Sequence, residues 1–376
     1  SMTLAGATTA TLTLTSAATG LATIDASAFT GDAKITVAAT VNQTITAGSG
    51  DDTIIMAATM TNADTVDGGT HGALTTSGDT LTATVTSLTA TTGALNISNV
   101  ESVDLIQVGT GVIDATGITG ADVISFSGEA ATKTTISNIP LGTNVGIGTK
   151  SKVSDLKGTL VMSLADETGT ADSLTINAYE PDANATLTLK ATAIENVTIA
   201  LSTTDTAVGT AGAVDLTVSS LNASKITLTG SDGDPDSTTT LNTLDKETVS
   251  LVATAFKGVL TAVGSVSATT FDLRGANNHD VTGGSSTDTV HVSSNGTTAS
   301  AYNLDGGATG STTSTLNVTL GGGTLTDTAV EDFKNINYTI DASVAAEVIE
   351  TTAMGMLDND TVAVTITGGN TISTFE

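Results

Sequence analysis

Polar and small apolar residues alternate with period two through most of this chain. The pattern is clear in TLTLT at Thr11–Thr15, in TLTATV at Thr80–Val85 and in VAVTI at Val362–Ile366. Successive side chains of a β-strand point to opposite faces, so this period predicts short strands with one buried face. Runs with a helical period are scarce. The best of them, around Ala345–Met356, is either a short helix or one more turn of a β fold.

Several phrases of the sequence recur. IDASAFTG at Ile24–Gly31 matches IDATGITG at Ile113–Gly120 without a gap, and four segments place a glutamate before an apolar–polar–apolar run, at Glu101, Glu195, Glu247 and Glu331. A strand cannot bury a face of small residues alone, but stacked copies of it can. We therefore predict an all-β fold, an elongated parallel β-helix or β-solenoid. A tandem array of β-sandwich domains is the alternative, because alternation and turns do not separate the two.

Longer-range repetition predicts two related modules. AGSGDDTII at Ala47–Ile55 aligns with GGSSTDTVH at Gly283–His291, which places Asp288 on Asp52, 236 residues earlier. The Asp-Gly-Gly turn that begins at Asp67 recurs at Asp305 in the same order. We predict a first β-solenoid module at 1–145 and a second, divergent one at 146–376. The two modules form either one continuous rod or two bodies with a hinge near 140–155.

The charge of the chain excludes several classes of partner. It has 39 acidic and 11 basic residues, a net charge of −28, no cysteine and no tryptophan. Phosphate binding needs clustered basic residues, so nucleic acid is not an expected partner. No apolar run is long enough for membrane insertion. Ser1-Met2 resembles an expression scar, so any targeting segment is expected outside this sequence. Divalent cations would offset the repulsion between carboxylates, although acidity can also serve solubility alone.

The nonapeptides carry the best metal-binding pattern. G-G-x-G-x-D-x-U-x, with U apolar, is the repeat of calcium-binding β-solenoids. Calcium takes six to eight oxygen ligands, and glycines let a turn direct its carbonyl groups inward. Each aspartate could instead form an ordinary Asx turn. The candidate calcium ligands are Gly48, Gly50, Asp52, Asp64, Asp67, Gly69 and Asp79 in the first module, and Asp280, Gly284, Asp288, Asp305 and Gly307 in the second.

A third acidic segment has two interpretations. Asp232, Asp234 and Asp236 have the spacing that opens a helical calcium loop, D-x-D-x-D. The glutamate expected at the twelfth position of such a loop is absent, so a solvated polar loop is the other interpretation.

Signals for catalysis are weak, and we predict that the protein is not an enzyme. The basic residues are scattered, and the three histidines, His71, His279 and His291, lie in or beside predicted turns. HExxH, GxSxG and P-loop motifs are absent from the sequence. A β-helix enzyme acting on carbohydrate is the least favoured alternative.

The chain resembles the surface-layer proteins of Gram-negative bacteria that carry RTX repeats and leave the cell by type I secretion. The resemblance rests on AGSGDDTII, the paired Asp-Gly-Gly turns, the IDAS phrases and the acidic, cysteine-free composition. It implies a calcium-stabilised β-solenoid at the cell surface, with copies of itself as partners in a two-dimensional lattice. It also implies anchoring to lipopolysaccharide through a region that is not in this chain. A stalk segment of an RTX adhesin is the alternative.

Overall fold

We describe the fold from a computed structural model of the chain. The described residues are 1–14, 20–38, 41–70, 78–86, 93–108, 111–126, 133–148, 158–179, 187–202, 216–218, 221–231, 238–241, 244–274, 279–294, 300–307, 313–320, 323–341, 347–350, 354–355 and 361–367. They divide into two compact units, Ser1–Thr170 with Leu174–Leu187, and Ala171–Ser173 with Thr188–Glu376. The two repeated modules inferred from the motifs, 1–145 and 146–376, stay a prediction.

The first unit is built almost wholly of short strands. One 3-10 helix, Ala115–Gly117, lies between β11 and β12. The strands are β1 (Met2–Gly6), β2 (Ala10–Leu14), β3 (Thr23–Phe29), β4 (Ala33–Val37), β5 (Thr44–Thr46), β6 (Thr53–Met60), β7 (Thr65–Asp67), β8 (Thr80–Thr86), β9 (Asn96–Ser98), β10 (Ser102–Val108), β11 (Gly111–Asp114), β12 (Ile118–Thr119), β13 (Val123–Phe126), β14 (Lys133–Ile139), β15 (Asn144–Ile147), β16 (Gly158–Leu164) and β17 (Ser173–Tyr179).

The second unit continues in the same style. The segment Ala345–Met356, considered above as a short helix or a further turn, contains strands wherever it is described. The strands are β18 (Leu187–Ala191), β19 (Asn196–Ser202), β20 (Leu216–Val218), β21 (Lys225–Ser231), β22 (Thr238–Leu241), β23 (Ser250–Phe256), β24 (Val259–Val263), β25 (Thr270–Asp272), β26 (His279–Thr282), β27 (Thr289–Ser294), β28 (Ser300–Asp305), β29 (Thr315–Leu320), β30 (Gly323–Glu331), β31 (Asn335–Asp341), β32 (Glu347–Glu350), β33 (Met354–Gly355) and β34 (Thr361–Thr367).

Strands from successive windings of the chain pair in parallel. In the first unit one sheet has the order β2-β4-β6-β8-β10-β13-β15-β17 and another β1-β3-β5-β7-β9-β12. In the second unit the corresponding orders are β19-β21-β23-β25-β27-β29-β31-β34 and β20-β22-β24-β26-β28-β30-β32. This is a parallel β-solenoid, so the predicted fold class is confirmed and the β-sandwich alternative is wrong. We call each winding a coil.

Register explains how a chain with few aromatic residues builds a core. Ile35 of β4 pairs with Ile54 of β6, and Ile54 pairs with Leu81 of β8. All three are fully buried, while the residues on either side of each along its own strand are exposed or half-buried. Because each coil covers the apolar row of the next, small side chains are buried continuously without large ones.

The repeated IDAS phrases share one hydrogen-bond pattern. Asp25 Oδ1 accepts hydrogen bonds from the Ser27 amide at 3.0 Å and the Ser27 hydroxyl at 2.6 Å. Asp114 Oδ1 accepts the same pair of bonds from Thr116, at 3.0 and 2.6 Å. Both are Asx turns: the first lies at a register irregularity within β3, and the second follows the end of β11.

No helix among the described residues has the length and apolar character needed to cross a lipid bilayer.

Candidate metal centre

The first nonapeptide, Ala47–Ile55, forms the corner between β5 and the start of β6. Its aspartate, Asp52, is only 1% exposed. Asp52 Oδ1 accepts the backbone N–H of Ala33 at 2.6 Å, and Oδ2 accepts the N–H of Gly48 at 2.9 Å. One carboxylate therefore closes its own turn and joins it to the preceding coil.

The second nonapeptide, Gly283–His291, repeats this geometry between β26 and β27. Asp288 is fully buried. Its Oδ1 accepts the N–H of Thr269 at 2.8 Å and its Oδ2 accepts the N–H of Gly284 at 2.8 Å. The donors lie 19 and 4 residues before the aspartate in both copies. The two motifs are thus the same structural element, as the alignment of Asp52 with Asp288 predicts.

The glycines of these corners are required by the close approach of neighbouring coils. A Cβ on Gly48 would overlap the carbonyl oxygen of Phe29, and a Cβ on Gly284 would overlap that of Ser265. Gly69 and Gly307 continue the two columns, with φ of +94° and +102°. A Cβ on Gly50 would lie 2.5 Å from the carbonyl oxygen of Gly31. These glycines set the coil spacing whether or not a metal binds.

The Asp-Gly-Gly turns are Asx turns in both units. Asp67 Oδ1 accepts the N–H of Gly69 at 3.0 Å and the side-chain amide of Asn99 at 2.8 Å. Asp305 Oδ1 accepts the N–H of Gly307 at 2.8 Å. These two carboxylates therefore hold the turn conformation that brings Gly69 and Gly307 into the glycine columns.

Acidic side chains also connect consecutive coils of the first unit. The N–H of Asp52 donates to Asp79 Oδ1 at 2.6 Å, and the N–H of Asp79 donates to Glu101 Oε2 at 2.6 Å. In the second unit Ser314 takes this place, because its hydroxyl oxygen accepts the N–H of Asp288 at 3.2 Å. The structure thus brings together two nominated aspartates, Asp52 and Asp79, through a backbone amide.

The other nominated aspartates belong to separate hydrogen-bond sets. Buried Asp64 accepts the N–H of Gln43 at 2.6 Å and that of Thr61 at 2.8 Å. Asp280, on β26, accepts the side-chain amide of Asn303 at 3.2 Å. Asp232, Asp234 and Asp236 lie outside the described residues.

Burial acts directly on the charge of the two nonapeptide aspartates. Removal from water raises the pKa of Asp52, the N–H donors of Ala33 and Gly48 oppose the shift, and the nearby charges of Asp32 and Asp51 add to it. Burial likewise raises the pKa of Asp288 against the N–H donors of Thr269 and Gly284. Desolvation disfavours the charged form of a carboxyl group, which accounts for the direction of both shifts.

Sequence reasoning missed a second pair of acidic residues, Asp32 and Asp51, next to the first nonapeptide aspartate. The N–H of Asp51 donates to Asp32 Oδ1 at 3.0 Å. Within the described residues, Asp51 Oδ1 is buried and has no hydrogen-bond donor. The doubled aspartate in AGSGDDTII, and Gly31-Asp32 just 19 residues before Gly50-Asp51, are the signals that point to this pair.

The fit of these residues to calcium differs between positions. Asp52 and Asp288 use both carboxylate oxygens as acceptors of backbone N–H groups, so they serve the fold first. In the described part of the chain, no group of three or more His, Asp or Glu side chains is placed to hold a metal ion. The Asp32–Asp51 corner, with a carboxylate oxygen that lacks a donor, is the arrangement best suited to a cation.

Comparison of the chain with models of protein families, with curated proteins and with solved structures finds no match.

Proposed function

We propose that this chain is a non-catalytic structural protein of the surface-layer type, which assembles with copies of itself outside a bacterial cell. The observation that supports this proposal most is the recurrence of one corner, at Asp52 and at Asp288, in a parallel β-solenoid. The same geometry occurs in both units, and its carboxylate oxygens accept hydrogen bonds from the chain's own backbone. Such a corner is suited to a structural role, because its polar atoms are already used within the fold.

The proposed mechanism begins with the corner carboxylates. Ala33 is the first residue of β4 and Thr269 directly precedes β25, and the backbone N–H of each donates to a carboxylate of the next coil. A buried N–H without an acceptor costs free energy, so each aspartate stabilises the stacking of two coils. A frame built this way can present the same outer surface over many coils.

Calcium is the second part of the proposal, and we assign it to the Asp32–Asp51 corner. Two acidic residues 19 apart in sequence are neighbours there, joined by the bond from the Asp51 backbone N–H to Asp32 Oδ1, in a chain of net charge −28. A divalent cation would supply charge neutralisation between the two coils. An ion that binds only the folded state stabilises it by mass action. The low calcium of a cytoplasm would then leave the chain less stable before export than after it.

Calcium titration of the chelated protein tests this assignment. We expect calcium to raise the melting temperature in circular dichroism and to increase particle size in light scattering. Asp51→Asn removes one charge at little change in shape and should weaken both responses. Asp122→Asn, at an exposed turn position, is the matched control and should respond like the wild type.

The two outcomes that oppose the proposal are separate. If the melting temperature does not change when calcium is added, the calcium part of the proposal is wrong. Isolated rods at all concentrations, with or without calcium, would remove the lattice and favour the adhesin stalk. Attachment to lipopolysaccharide belongs to the proposal only through a region outside this chain.

A further inference from the structure

The two large sheets of the second unit differ in charge. The seven strands β20, β22, β24, β26, β28, β30 and β32 contain no Lys or Arg and six acidic residues: Asp280, Asp305, Asp327, Glu331, Glu347 and Glu350. The eight strands β19, β21, β23, β25, β27, β29, β31 and β34 contain only three charged residues: Lys225, Asp272 and Asp341. We call the outward side of these eight strands the neutral face.

The acid in the middle of the neutral face is neutralised locally. Arg274, the one arginine of the sequence, donates from Nε to Asp272 Oδ1 at 2.7 Å and from Nη2 to Oδ2 at 2.6 Å. This bidentate pair holds the pKa of Asp272 below its ordinary value. His291 of β27 pairs in register with Asp272. Burial lowers the pKa of His291, which favours the neutral imidazole at pH 7.

Short hydroxyl and amide side chains predominate on the rest of the neutral face, among a few alanines, Val252 and Lys225. Asn337 donates from Nδ2 to Asn317 Oδ1 at 2.9 Å across neighbouring strands. On the same two strands this amide pair lies between Thr315 paired with Asn335 on one side and, on the other, the exposed Thr319 and Thr339 side by side. Hydroxyls and amides both donate and accept hydrogen bonds, so such a surface is complementary to itself.

We propose that the neutral face packs against the neutral face of a second copy of this chain. Two molecules of net charge −28 repel each other, and contact costs least where acidic residues are few. Eight strands about 4.8 Å apart and about 17 Å long cover about 650 Å², close to the roughly 800 Å² per partner of a stable interface. The inference rests on the proposed self-assembly and names the surface that carries it.

A pair of charge insertions tests the neutral face. Thr319→Asp with Thr339→Asp adds two carboxylates to adjacent exposed positions of β29 and β31. Thr44→Asp with Thr65→Asp makes the same change at adjacent exposed positions of β5 and β7, in the first unit. Sedimentation velocity over a concentration series measures self-association of the full chain, and circular dichroism checks folding.

We expect the wild type and the β5/β7 variant to self-associate alike. The β29/β31 variant should show an apparent dissociation constant at least about tenfold higher, with partial recovery at high salt, because like charges then face each other across the contact. If the double variant folds poorly, Thr339→Asp alone serves for the same comparison.

Two results would overturn the inference. Equal association of the β29/β31 variant and the wild type would remove this face and leave the proposed self-assembly standing. A wild type that stays monomeric at every concentration, with and without calcium, would remove both. A wild type that binds a neutral polysaccharide through this face and stays monomeric would also count against the second copy as its partner.

Discussion

The aspartates of the two corners act as acceptors for backbone amides. Asp52 and Asp288 each accept two N–H groups from the interior side of the turn, one of them from a neighbouring coil. A residue type that suggests a metal ligand in the sequence is, in three dimensions, a connection between coils. The contribution of such a residue to stability comes from the backbone N–H groups that it accepts.

Asp52→Asn should therefore destabilise the first unit. An asparagine has one acceptor oxygen, so the N–H of Ala33 or of Gly48 would face an amide donor. We expect the free energy of unfolding to fall by about 1–3 kcal/mol, the cost of an unsatisfied buried group. Urea denaturation followed by circular dichroism measures it. Asp122→Asn is the control, and equal stability of the two variants would contradict the role of Asp52.

At the scale of the coil, glycine columns and buried rows set how closely windings stack. Gly48 and Gly284 leave space for a carbonyl group of the adjacent coil, and Leu or Ile rows fill the interior. The interior row of β22 departs from this pattern, since Thr239 is 1% exposed and its hydroxyl has no partner among the described residues.

Gly48→Ala should weaken the stacking of coils. The added methyl group would overlap the backbone of Phe29, which cannot turn aside as a flexible side chain can. We expect a loss of about 1–3 kcal/mol in the free energy of unfolding. Gly20→Ala is the matched control, because nothing lies within 4 Å of its added Cβ. A Gly48 variant as stable as the Gly20 variant would show that the corner has room for a methyl group beside the Phe29 carbonyl.

Thr239→Val should stabilise the second unit. The two side chains have nearly the same shape, and valine removes a buried hydroxyl that has no partner within the described residues. We expect a gain of about 1 kcal/mol, measured as a higher midpoint of urea unfolding. Thr240→Val, on the half-exposed side of the same strand, should change stability little. Destabilisation by Thr239→Val would mean that the hydroxyl has a partner in solution.

At the scale of the whole molecule, the acidic residues whose pKa values are shifted fall into two classes with opposite pH dependence. Burial raises the pKa of Asp52, Asp288 and Asp245, so ionisation of these groups lowers the stability of the fold relative to their protonated forms. Hydrogen bonds from Asn138 and Thr116 lower the pKa of Asp114, and the Arg274 guanidinium lowers that of Asp272. Ionisation of these two groups therefore raises the stability of the fold. The two classes act in different pH ranges.

We expect stability to rise as the pH falls from 7 towards the ordinary aspartate pKa of 3.8, and to decrease below that value. A carboxyl group with a raised folded pKa contributes stability at low pH and loses it as the pH rises through that pKa. The lowered groups lose their contribution only as the pH falls through their depressed values. Melting temperature as a function of pH measures the profile. Asp52→Asn with Asp288→Asn should flatten its rising part, and an unchanged slope would exclude these two residues as its source.

Period-two alternation together with the repeated segments predicted a parallel β-solenoid. The alternation determines which face of each strand is buried, and the repeats indicate that similar strands stack on one another. The equivalence of Asp52 with Asp288, and of Asp67 with Asp305, also followed from spacing alone. The Asx turns were an open alternative at the same positions, and the structure contains them at Asp67 and Asp305.

Only the tertiary structure decided which atoms each carboxylate meets. The amides that Asp52, Asp79 and Glu101 accept lie 19, 27 and 22 residues before them, because coils differ in length. No fixed period in the sequence therefore pairs a corner with its neighbour, and the pairing of Asp32 with Asp51 was not predicted. The contrast between an acidic and a neutral sheet in the second unit likewise arises from which strands share a face. Local order determined the kind of fold, and the register between coils determined its chemistry.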